Sequence, residues 1–584
     1  MRLWRPYRGR LILSQLLLAL SAITTLGTAA LNQRLVNDGL LAKDTGVVIE
    51  TGIWMAVLAV LSGLFLTGTL IFAVQFSQGT AYALRTMLYG RVQDFTFGNF
   101  DRFRTGNLLV RLSSDITNVA NAVLYAILLV LYAPIMIIVA LMLVFATTPS
   151  LAWVLGVVAV LVLVGSLLLV PSLEKAYARR QSRLDAVNNA MQENLTGVRV
   201  VKAFVREDTE EKQYAERTED LRKPAFSAAF RVALLTPFLQ TITQLGITFS
   251  LLVGGTQVAE QTGLTVGQVT AFMQYLSLII VPLGMLALIT PYVLRGITSA
   301  SRVFEVVDTT PDLADPAGTE DAVSLDASTP GARVVFENVT FTFPAAEGES
   351  RATVLHGIDL VIEPGKRVGI LGSTGAGKTA LVNLIPRFYD VSGGRVTIDG
   401  VDVRSIPQAQ LREQVGIALQ EAVLFQGNLW DNLVFAQPTA PEATVQAAAR
   451  TADAYTFVDA LPKRWDAPVD RRGSNFSGGQ RQRLSMTRTL VPKPRVLILD
   501  DSTSALDVAT EARVQEAIPD YARGATTIYV AQRISAVMDL DAIVLLEAGR
   551  IVATGTHAEL LASNALYQQI YRSQLGEPGQ GVTS

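Results

Sequence analysis

The chain has 584 residues, of which 50% are hydrophobic and only 17% are charged, and its mean hydropathy is +0.35. This composition excludes an ordinary soluble protein of this size and indicates a membrane protein. The formal net charge of −2 argues against a nucleic-acid partner, and the absence of cysteine excludes disulfides and thiolate metal sites.

Six apolar stretches in the first half of the chain are long enough to cross a membrane, since a span needs about 20 mostly apolar residues. They are residues 11–31, 53–74, 123–146, 151–170, 230–253 and 266–288. The sequence therefore predicts an all-α, six-helix transmembrane domain over residues 1–308. No small-residue cleavage site follows the first stretch, so we expect it to be retained as a span and not removed as a signal peptide.

Basic residues predict how these spans are oriented. Arginine and lysine are concentrated before the first span, in the loop after the second span (residues 85–111) and in the loop after the fourth (residues 175–206). The opposite connections carry Lys43 as their only basic residue. By the tendency of positive charge to remain inside, we expect a multi-pass protein of the cell (inner) membrane with a cytoplasmic N-terminus.

A stretch rich in proline and aspartate, residues 309–330, predicts a linker between the apolar half and a second domain at residues 331–575. The polar residues 576–584 after that domain predict a disordered tail. By the orientation argued above, the second domain is expected in the cytoplasm.

The second domain contains a phosphate-binding loop between a predicted buried strand, residues 367–371, and a predicted helix that includes residues 381–385. The loop is Gly372, Ser373, Thr374, Gly375, Ala376, Gly377, Lys378 and Thr379. Its glycines let backbone N–H groups turn inward around phosphates, Lys378 adds a positive charge, and Thr379 offers a hydroxyl to Mg²⁺. The pattern predicts an α/β phosphate-loop domain that binds a nucleotide.

The remaining motifs, taken in order, resemble those of the ATP-binding cassette (ABC) family, and a phosphate-loop fold of another kind is the alternative. The resemblance implies ATP and Mg²⁺ as cofactors, with Thr379, Gln420 and Asp500 around the metal. It also assigns Phe343 to adenine stacking. The family signature is matched by Ser477, Gly478, Gly479 and Gln480, and the communicating loop ends at Asp507.

The layout of the whole chain resembles an ABC exporter half-transporter: a six-helix membrane domain followed by an α/β ATP-binding cassette domain. Residues 84–115 and 197–207 resemble the two intracellular coupling loops of such exporters, for which solvated helical extensions are the alternative interpretation. In that family two cassettes enclose two ATP molecules, and the signature of one cassette contacts the γ-phosphate held by the other. The resemblance therefore implies a second half-transporter chain as a partner, and an ATPase that drives transport.

Two catalytic positions depart from the family pattern. Asp501 directly follows a predicted strand over residues 496–500. It stands where a glutamate is usual, which retracts the carboxylate by roughly 1.5 Å, one C–C bond. Gln532 stands where a histidine is usual, and an amide cannot become a cation. Because a misplacement of about 1 Å can cost roughly a hundredfold in rate, we expect a site that binds MgATP but hydrolyses it weakly. The alternative is that Asp501 catalyses adequately.

These departures resemble the degenerate-site chain of heterodimeric bacterial multidrug exporters. The resemblance implies ATP-driven export of amphipathic or hydrophobic compounds by a heterodimer. Two alternatives remain open: a homodimeric lipid or drug flippase, and an ATP-gated membrane protein that does not pump. Polar residues of the spans that could face a substrate cavity, or could instead form hydrogen bonds between helices, are Gln75, Gln78, Asn121, Gln240, Gln244, Gln274 and Tyr275.

Overall fold

The computed structural model describes residues 2–261, 263–316, 325, 329–344 and 352–575. The chain divides into two compact units, the first comprising Met1–Gln93 and Gly106–Thr309, and the second comprising Asp94–Thr105 and Thr310–Ser584. A short segment from the first half of the chain thus groups with the second unit. Most of the predicted linker and all of the predicted tail lie outside the described residues, so both stay predictions.

The first half of the chain is helical. Its helices are α1 Arg8–Arg34, α2 Thr45–Gln93, α3 Phe97–Phe103, α4 Thr105–Val110, α5 Ile116–Tyr125, α6 Tyr132–Thr147, α7 Ala152–Thr196, α8 Val198–Ala203, α9 Glu207–Ala259 and α10 Val266–Asp308. Of these, α3 belongs to the second unit. Shorter π-helical turns precede α5 at Arg111–Asp115 and follow it at Ala126–Val130.

Four described stretches are long and apolar enough to cross a membrane, namely Trp4–Leu41, Thr45–Gln93, Thr105–Thr147 and Glu207–Ala259. Two predicted spans fall on shorter apolar helical stretches, Pro149–Val162 and Val266–Ile279. A helical membrane domain is therefore confirmed, whereas the predicted count of six spans is not.

Hydroxyl groups join neighbouring helices of the first unit. Thr25 Oγ1 lies 2.7 Å from Ser62 Oγ, and Ser77 Oγ donates to Ala120 O at 2.7 Å. Such bonds occupy polar groups that hydrocarbon cannot solvate. They connect α1 to α2 and α2 to α5, so small polar residues inside apolar helices contribute to packing here.

Asp115 is a buried charged residue of the first unit that is both ion-paired and hydrogen-bonded. It is 1% exposed, and its carboxylate accepts hydrogen bonds from Ser299 Oγ at 2.8 Å and from Arg302 Nε at 2.9 Å. A second guanidinium nitrogen of Arg302 also contacts the carboxylate. Asn118 Nδ2 in turn donates to Ser299 Oγ at 3.2 Å. The network ties the start of α5 to the second half of α10.

We expect Asp115→Ala to lower the free energy of unfolding by about 1–2 kcal/mol. Breaking a buried ion pair costs roughly 3–5 kcal/mol, but the Arg302 side chain is 44% exposed, so water compensates part of the loss. Denaturant unfolding of the purified chain in detergent measures the change. Glu50→Ala is the control, since its ion pair with Arg34 is about half exposed on both sides. Equal stability of the two variants would contradict the role assigned to Asp115.

The second unit contains two main sheets. Its strands are β1 Val334–Thr342, β2 Thr353–Ile362, β3 Arg367–Leu371, β4 Gly393–Ile398, β5 Val401–Asp402, β6 Val415–Ala418, β7 Gly427–Asn428, β8 Pro468–Val469, β9 Val496–Asp500, β10 Thr526–Ala531, β11 Ala542–Glu547 and β12 Arg550–Gly555. One sheet is antiparallel with the order β2-β1-β4-β5, and the other has the order β12-β11-β3-β10-β9-β6. In the second, β12 pairs antiparallel and the other five strands are parallel.

The second unit also contains helices. They are α11 Lys378–Asn383, α12 Gln408–Gln414, α13 Leu429–Leu433, α14 Glu442–Thr451, α15 Tyr455–Asp459, α16 Gly478–Leu490, α17 Val508–Tyr521, α18 His557–Ser563 and α19 Ala565–Leu575. The predicted strands at 367–371 and 496–500 are confirmed as β3 and β9. The predicted helix over 381–385 ends early, at Asn383, because Pro386 disfavours a helical conformation of the residue before it.

Successive side chains of the central strands are buried alternately in two hydrophobic cores, one on each face of the sheet. This is expected for parallel strands covered on both faces. On β9, Ile498 packs into the core that contains Ile370 of β3, whereas Leu497 and Leu499 pack into the core formed with α16. The alternation holds each strand in a fixed register. The loops after β3, β10, β9 and β6 are thereby placed side by side at one edge of the sheet.

Candidate ATP site

The phosphate loop follows β3 and begins α11. Gly375 and Gly377 have φ values of +83° and +99°, which favour glycine. A Cβ atom on Gly377 would also lie 2.8 Å from Leu355 Cδ2. Lys378 is buried, and its Nζ donates to Gly372 O at 2.7 Å and Ser373 O at 2.9 Å. The carbonyl groups of the loop therefore hold the Lys378 ammonium group within the loop.

Two acidic side chains face this ammonium. Burial lowers the pKa of Lys378, and the charges of Asp501 and Asp500 oppose that effect. Burial also raises the pKa of Asp500, which is 1% exposed and accepts a hydrogen bond from Thr379 Oγ1 at 3.3 Å. Burial thus disfavours the charged forms of Lys378 and Asp500, and the opposite charges of the lysine and the carboxylates counter that effect.

The residues present fit a magnesium ion held with a nucleotide. Among the described residues, no group of three or more His, Asp or Glu side chains could hold a metal. Magnesium in nucleotide sites is commonly bound through one or two protein oxygens together with phosphate oxygens and water. The Thr379 hydroxyl and the Asp500 carboxylate, already paired, supply such oxygens.

Asp501 lies at the centre of a small network of amides. Gln420 Nε2 donates to Asp501 Oδ2 at 3.3 Å, and Gln532 Nε2 donates to the same oxygen at 3.4 Å. Gln532 Oε1 accepts from Thr374 Oγ1 at 3.3 Å, which links the network to the phosphate loop. Burial raises the pKa of Asp501, against the opposing charge of Lys378. The two residues that depart from the family pattern are thus hydrogen-bonded to each other.

The order of the strands explains why Gln420 and Gln532 both lie beside Asp501. β10 pairs with β3 on one side and with β9 on the other, and β6 pairs with β9. In a parallel sheet the carboxyl ends share one edge, so Gln532 after β10 lies between the phosphate loop and Asp501. Gln420 follows β6 and reaches Asp501 from the opposite side.

The predicted signature residues are engaged at the start of α16. Ser477 Oγ accepts from Gln480 N at 3.3 Å, and Gln480 Oε1 accepts from Ser477 N at 2.9 Å, which forms a capping box. Asp507 likewise caps α17 by accepting from Thr510 N at 3.0 Å. The caps fix the backbone of both loops. Contact of Ser477, Gly478, Gly479, Gln480 and Asp507 with a nucleotide stays a prediction.

Phe343 belongs to an aromatic cluster. Phe343 is 36% exposed, and its ring lies edge-on to Tyr389 with ring centroids 5.3 Å apart. The Tyr389 hydroxyl donates to Asp101 Oδ2 at 2.8 Å, and burial raises the pKa of that hydroxyl. Phe97 stacks on Phe388 with centroids 4.3 Å apart. The segment that contains α3 is therefore attached beside the proposed adenine position.

The sequence missed two residues of this region. Tyr389 carries no motif, and its partner Asp101 is separated from it by 288 positions. Gln482 of α16 donates to Ser504 Oγ at 3.1 Å and accepts from Ala505 N at 2.9 Å, so it holds the loop after Asp501. Only its position on the signature helix could have indicated that role.

In the first unit, six of the seven polar residues considered for a substrate cavity are exposed and Tyr275 is buried. The exposed residues are Gln75, Gln78, Asn121, Gln240, Gln244 and Gln274. Gln274 lines an open cavity of about 450 Å³ with the hydroxyls of Thr25, Thr28 and Ser62.

A phosphate loop facing two carboxylates, in a chain with helices apolar enough to span a membrane, defines a membrane protein with a nucleotide-binding domain. Two family models match it: the ABC transporter transmembrane region over residues 11–283, and the ABC transporter domain over residues 355–504. The chain therefore belongs to the ABC transporter family and is an exporter half-transporter. Its ATPase domain implies ATP binding, for which Mg²⁺ is the usual partner.

The chain is 34% identical to the uncharacterized ABC transporter ATP-binding protein YfiB of Bacillus subtilis (strain 168), over 94% of this chain and 93% of that protein. It is 30% identical to the ATP-dependent lipid A-core flippase of Syntrophus aciditrophicus (strain SB), over 100% of this chain and 95% of that protein. A solved structure of a bacterial Atm1-family ABC exporter with ATP bound is similar with a TM-score of 0.79 and 25% identity, covering 98% of this chain and 99% of that chain.

We expect Tyr389→Phe to loosen the segment that contains α3 without removing the aromatic cluster. The variant loses one hydrogen bond to an exposed carboxylate, about 1 kcal/mol, so amide hydrogens of Phe97–Phe103 should exchange roughly fivefold faster. Hydrogen exchange followed by mass spectrometry measures this. Tyr455→Phe, whose ring packs on Trp465 elsewhere in the unit, is the control. Unchanged exchange in Tyr389→Phe would show that the hydrogen bond does not hold the segment.

Proposed function

We propose that this chain is one half of a heterodimeric ABC exporter and that it supplies the ATP site with weak hydrolysis. The observation that carries the proposal is the hydrogen bond between Gln532 and Asp501, the two departures from the family pattern, inside an otherwise complete site. The heterodimer exports amphipathic or hydrophobic compounds across the cell (inner) membrane, with the cassettes in the cytoplasm.

Hydrolysis of ATP needs a carboxylate that orients the attacking water and a group that stabilises charge on the γ-phosphate. Asp501 is one methylene shorter than a glutamate, and its Oδ2 already accepts from two amides. Gln532 offers a neutral donor where a histidine could carry a proton. Both changes weaken the chemical step.

The groups that hold the nucleotide are retained. Lys378 is enclosed by the carbonyls of its loop, and Thr379 is paired with the buried Asp500. Because these groups bind phosphate and Mg²⁺ without taking part in water attack, ATP would dwell at this site over several turnovers of the other one. The intact signature, with Ser477 and Gly479, would complete the site of the partner chain.

A homodimeric lipid flippase is the second candidate, and the similarity of this chain to the lipid A-core flippase of Syntrophus aciditrophicus favours it. A lipid is itself an amphipathic compound, so the exposed amides of the membrane helices are compatible with either substrate. The two candidates differ in whether this chain works with a second copy of itself or with a different chain.

We expect the chain purified alone in lipid nanodiscs to hydrolyse ATP at least roughly tenfold more slowly than its complex with a partner half-transporter. That partner would carry a glutamate at the position equivalent to Asp501 and a histidine at the position equivalent to Gln532. Phosphate release at saturating ATP measures the rates, and Lys378→Ala in this chain controls for contaminating ATPases. Rapid hydrolysis together with transport by the chain alone would support the homodimeric flippase and end the heterodimer proposal.

We expect the double change Asp501→Glu and Gln532→His to raise hydrolysis at this site, roughly tenfold to a hundredfold, because it restores the reach of the carboxylate and a protonatable group. Nucleotide residence should shorten accordingly, as measured by release of trapped labelled nucleotide from the heterodimer. Asp501→Asn is the matched control and should give no gain. Restored hydrolysis with unchanged residence would mean that the interface between the cassettes sets the dwell time.

A further inference from the structure

Residues 532–534, which we call the switch segment, follow β10 and include Gln532. The backbone of this segment is held by a residue of α19. Gln574 Nε2 donates to Gln532 O at 2.9 Å, and Gln574 Oε1 accepts from Ile534 N at 2.8 Å. One side-chain amide thus pairs with the two backbone groups on either side of Arg533. The two hydrogen bonds resemble those that a neighbouring β-strand makes to a strand. Gln574, however, lies 40 positions from Ile534 and 42 positions from Gln532 in the sequence.

The chemistry of both backbone groups determines the side chain that fits. A carbonyl oxygen only accepts and an amide N–H only donates, so the partner must present one donor and one acceptor together. A glutamine amide does so. A glutamate of the same size would place a second oxygen opposite Gln532 O, where the donor now lies.

Packing of α19 aims Gln574 at the switch segment. Tyr567 is fully buried among Ala531, Ile534 and other residues of the same apolar cluster, and its hydroxyl lies 2.7 Å from His557 Nδ1. Gln574 follows Tyr567 by seven residues, which is about two helical turns, so both lie on one face of the helix. The anchored face therefore ends at the switch segment.

Beside these hydrogen bonds, α19 borders an open cavity. This cavity of about 660 Å³ separates α19 from the phosphate loop, and Gly372, Thr374, Gln532, Ile570 and Gln574 are among its lining residues. On its other side the switch segment is tied by Arg533, which donates to Ser504 O at 3.3 Å.

We propose that Gln574 is a positioning residue for the ATP site: it fixes the Gln532–Ile534 backbone so that the Gln532 amide stays between Asp501 and Thr374. The proposal rests on the proposed function of this site and adds that the Gln532 amide, which links Asp501 to Thr374 of the phosphate loop, helps to retain the nucleotide. α19 then becomes part of the machinery that sets nucleotide residence, although no atom of Gln574 reaches the phosphate loop residues Lys378 or Thr379 by a described hydrogen bond.

A double-mutant cycle on the full chain in nanodiscs tests this. The rate of release of a fluorescent ATP analogue with Mg²⁺ is measured for Gln574→Ala, Gln532→Ala and both together. If Gln574 acts through Gln532, Gln574→Ala should speed release about threefold to tenfold in the native chain and have little further effect in Gln532→Ala, because residues that act through one another are not additive. Gln574→Glu should speed release at least as much as Gln574→Ala.

The matched control is Gln569→Ala, an exposed glutamine of α19 that lines the same cavity; its release rate should match the native chain. Equal effects of Gln574→Ala in both backgrounds, or no effect in either, would overturn the proposal, and so would a Gln569→Ala variant that behaves like Gln574→Ala. Thermal unfolding confirms that each variant is folded. The cycle needs no partner chain, so it can succeed even if the ATPase assay favours a homodimer, and it can fail while the heterodimer proposal stands.

Discussion

The ATP site depends on one constraint, the parallel register of β10 between β3 and β9. In that register Ala531 is opposite Leu371 and Val530 is opposite Asp500, so all three strands end together. The backbone N–H of Asp501 continues the pairing by donating to Val530 O at 3.0 Å. Asp501 itself takes a positive φ of +46° as the chain turns out of the sheet. A slip by one residue would invert the buried faces of the strand and separate the switch glutamine from the carboxylate.

Electrostatics follows from this placement. Three charged side chains, Lys378, Asp500 and Asp501, are brought into a region where burial disfavours every charged form. The ammonium and the carboxylates lower this cost for one another, and Thr379 and the two glutamines supply hydrogen bonds. Gln532 is a neutral amide at a position where a histidine could carry a proton. Lys378 is therefore the cation whose charge acts on both Asp500 and Asp501. Binding of a polyanionic nucleotide thus relies on Lys378 and the loop amides, and Gln532 adds no charge.

Motif spacing predicted the parts of the site that are contiguous in sequence. The phosphate loop and the strand that ends at Asp500 were found because their chemistry needs neighbouring residues in a fixed order. The Ser477 and Gln480 pair also fits the capping-box pattern of a serine followed three residues later by glutamine, which the sequence could have shown. Tyr389 and Gln574 could not be found in this way, because each acts through a partner distant in the chain. In the membrane half, hydropathy located the helices, but four stretches of the described residues are long and apolar enough to cross a membrane, so six spans are not confirmed.

The contact between Asp501 and Gln532 also bears on how the two departures are related. The amide donates to the carboxylate while its oxygen accepts from Thr374, so both ends of Gln532 are used in the geometry that an aspartate leaves. A glutamate alone at 501 would extend its carboxylate by one methylene into the space now occupied by that amide. A histidine alone at 532 would present its ring to a carboxylate that is set back. Each single reversal therefore meets a site shaped for the other residue, and residues in direct contact do not contribute additively. This is the physical reason to treat the two positions as one unit. Gln574 of α19 bonds to the backbone of Gln532, and Thr374 of the phosphate loop bonds to its side chain.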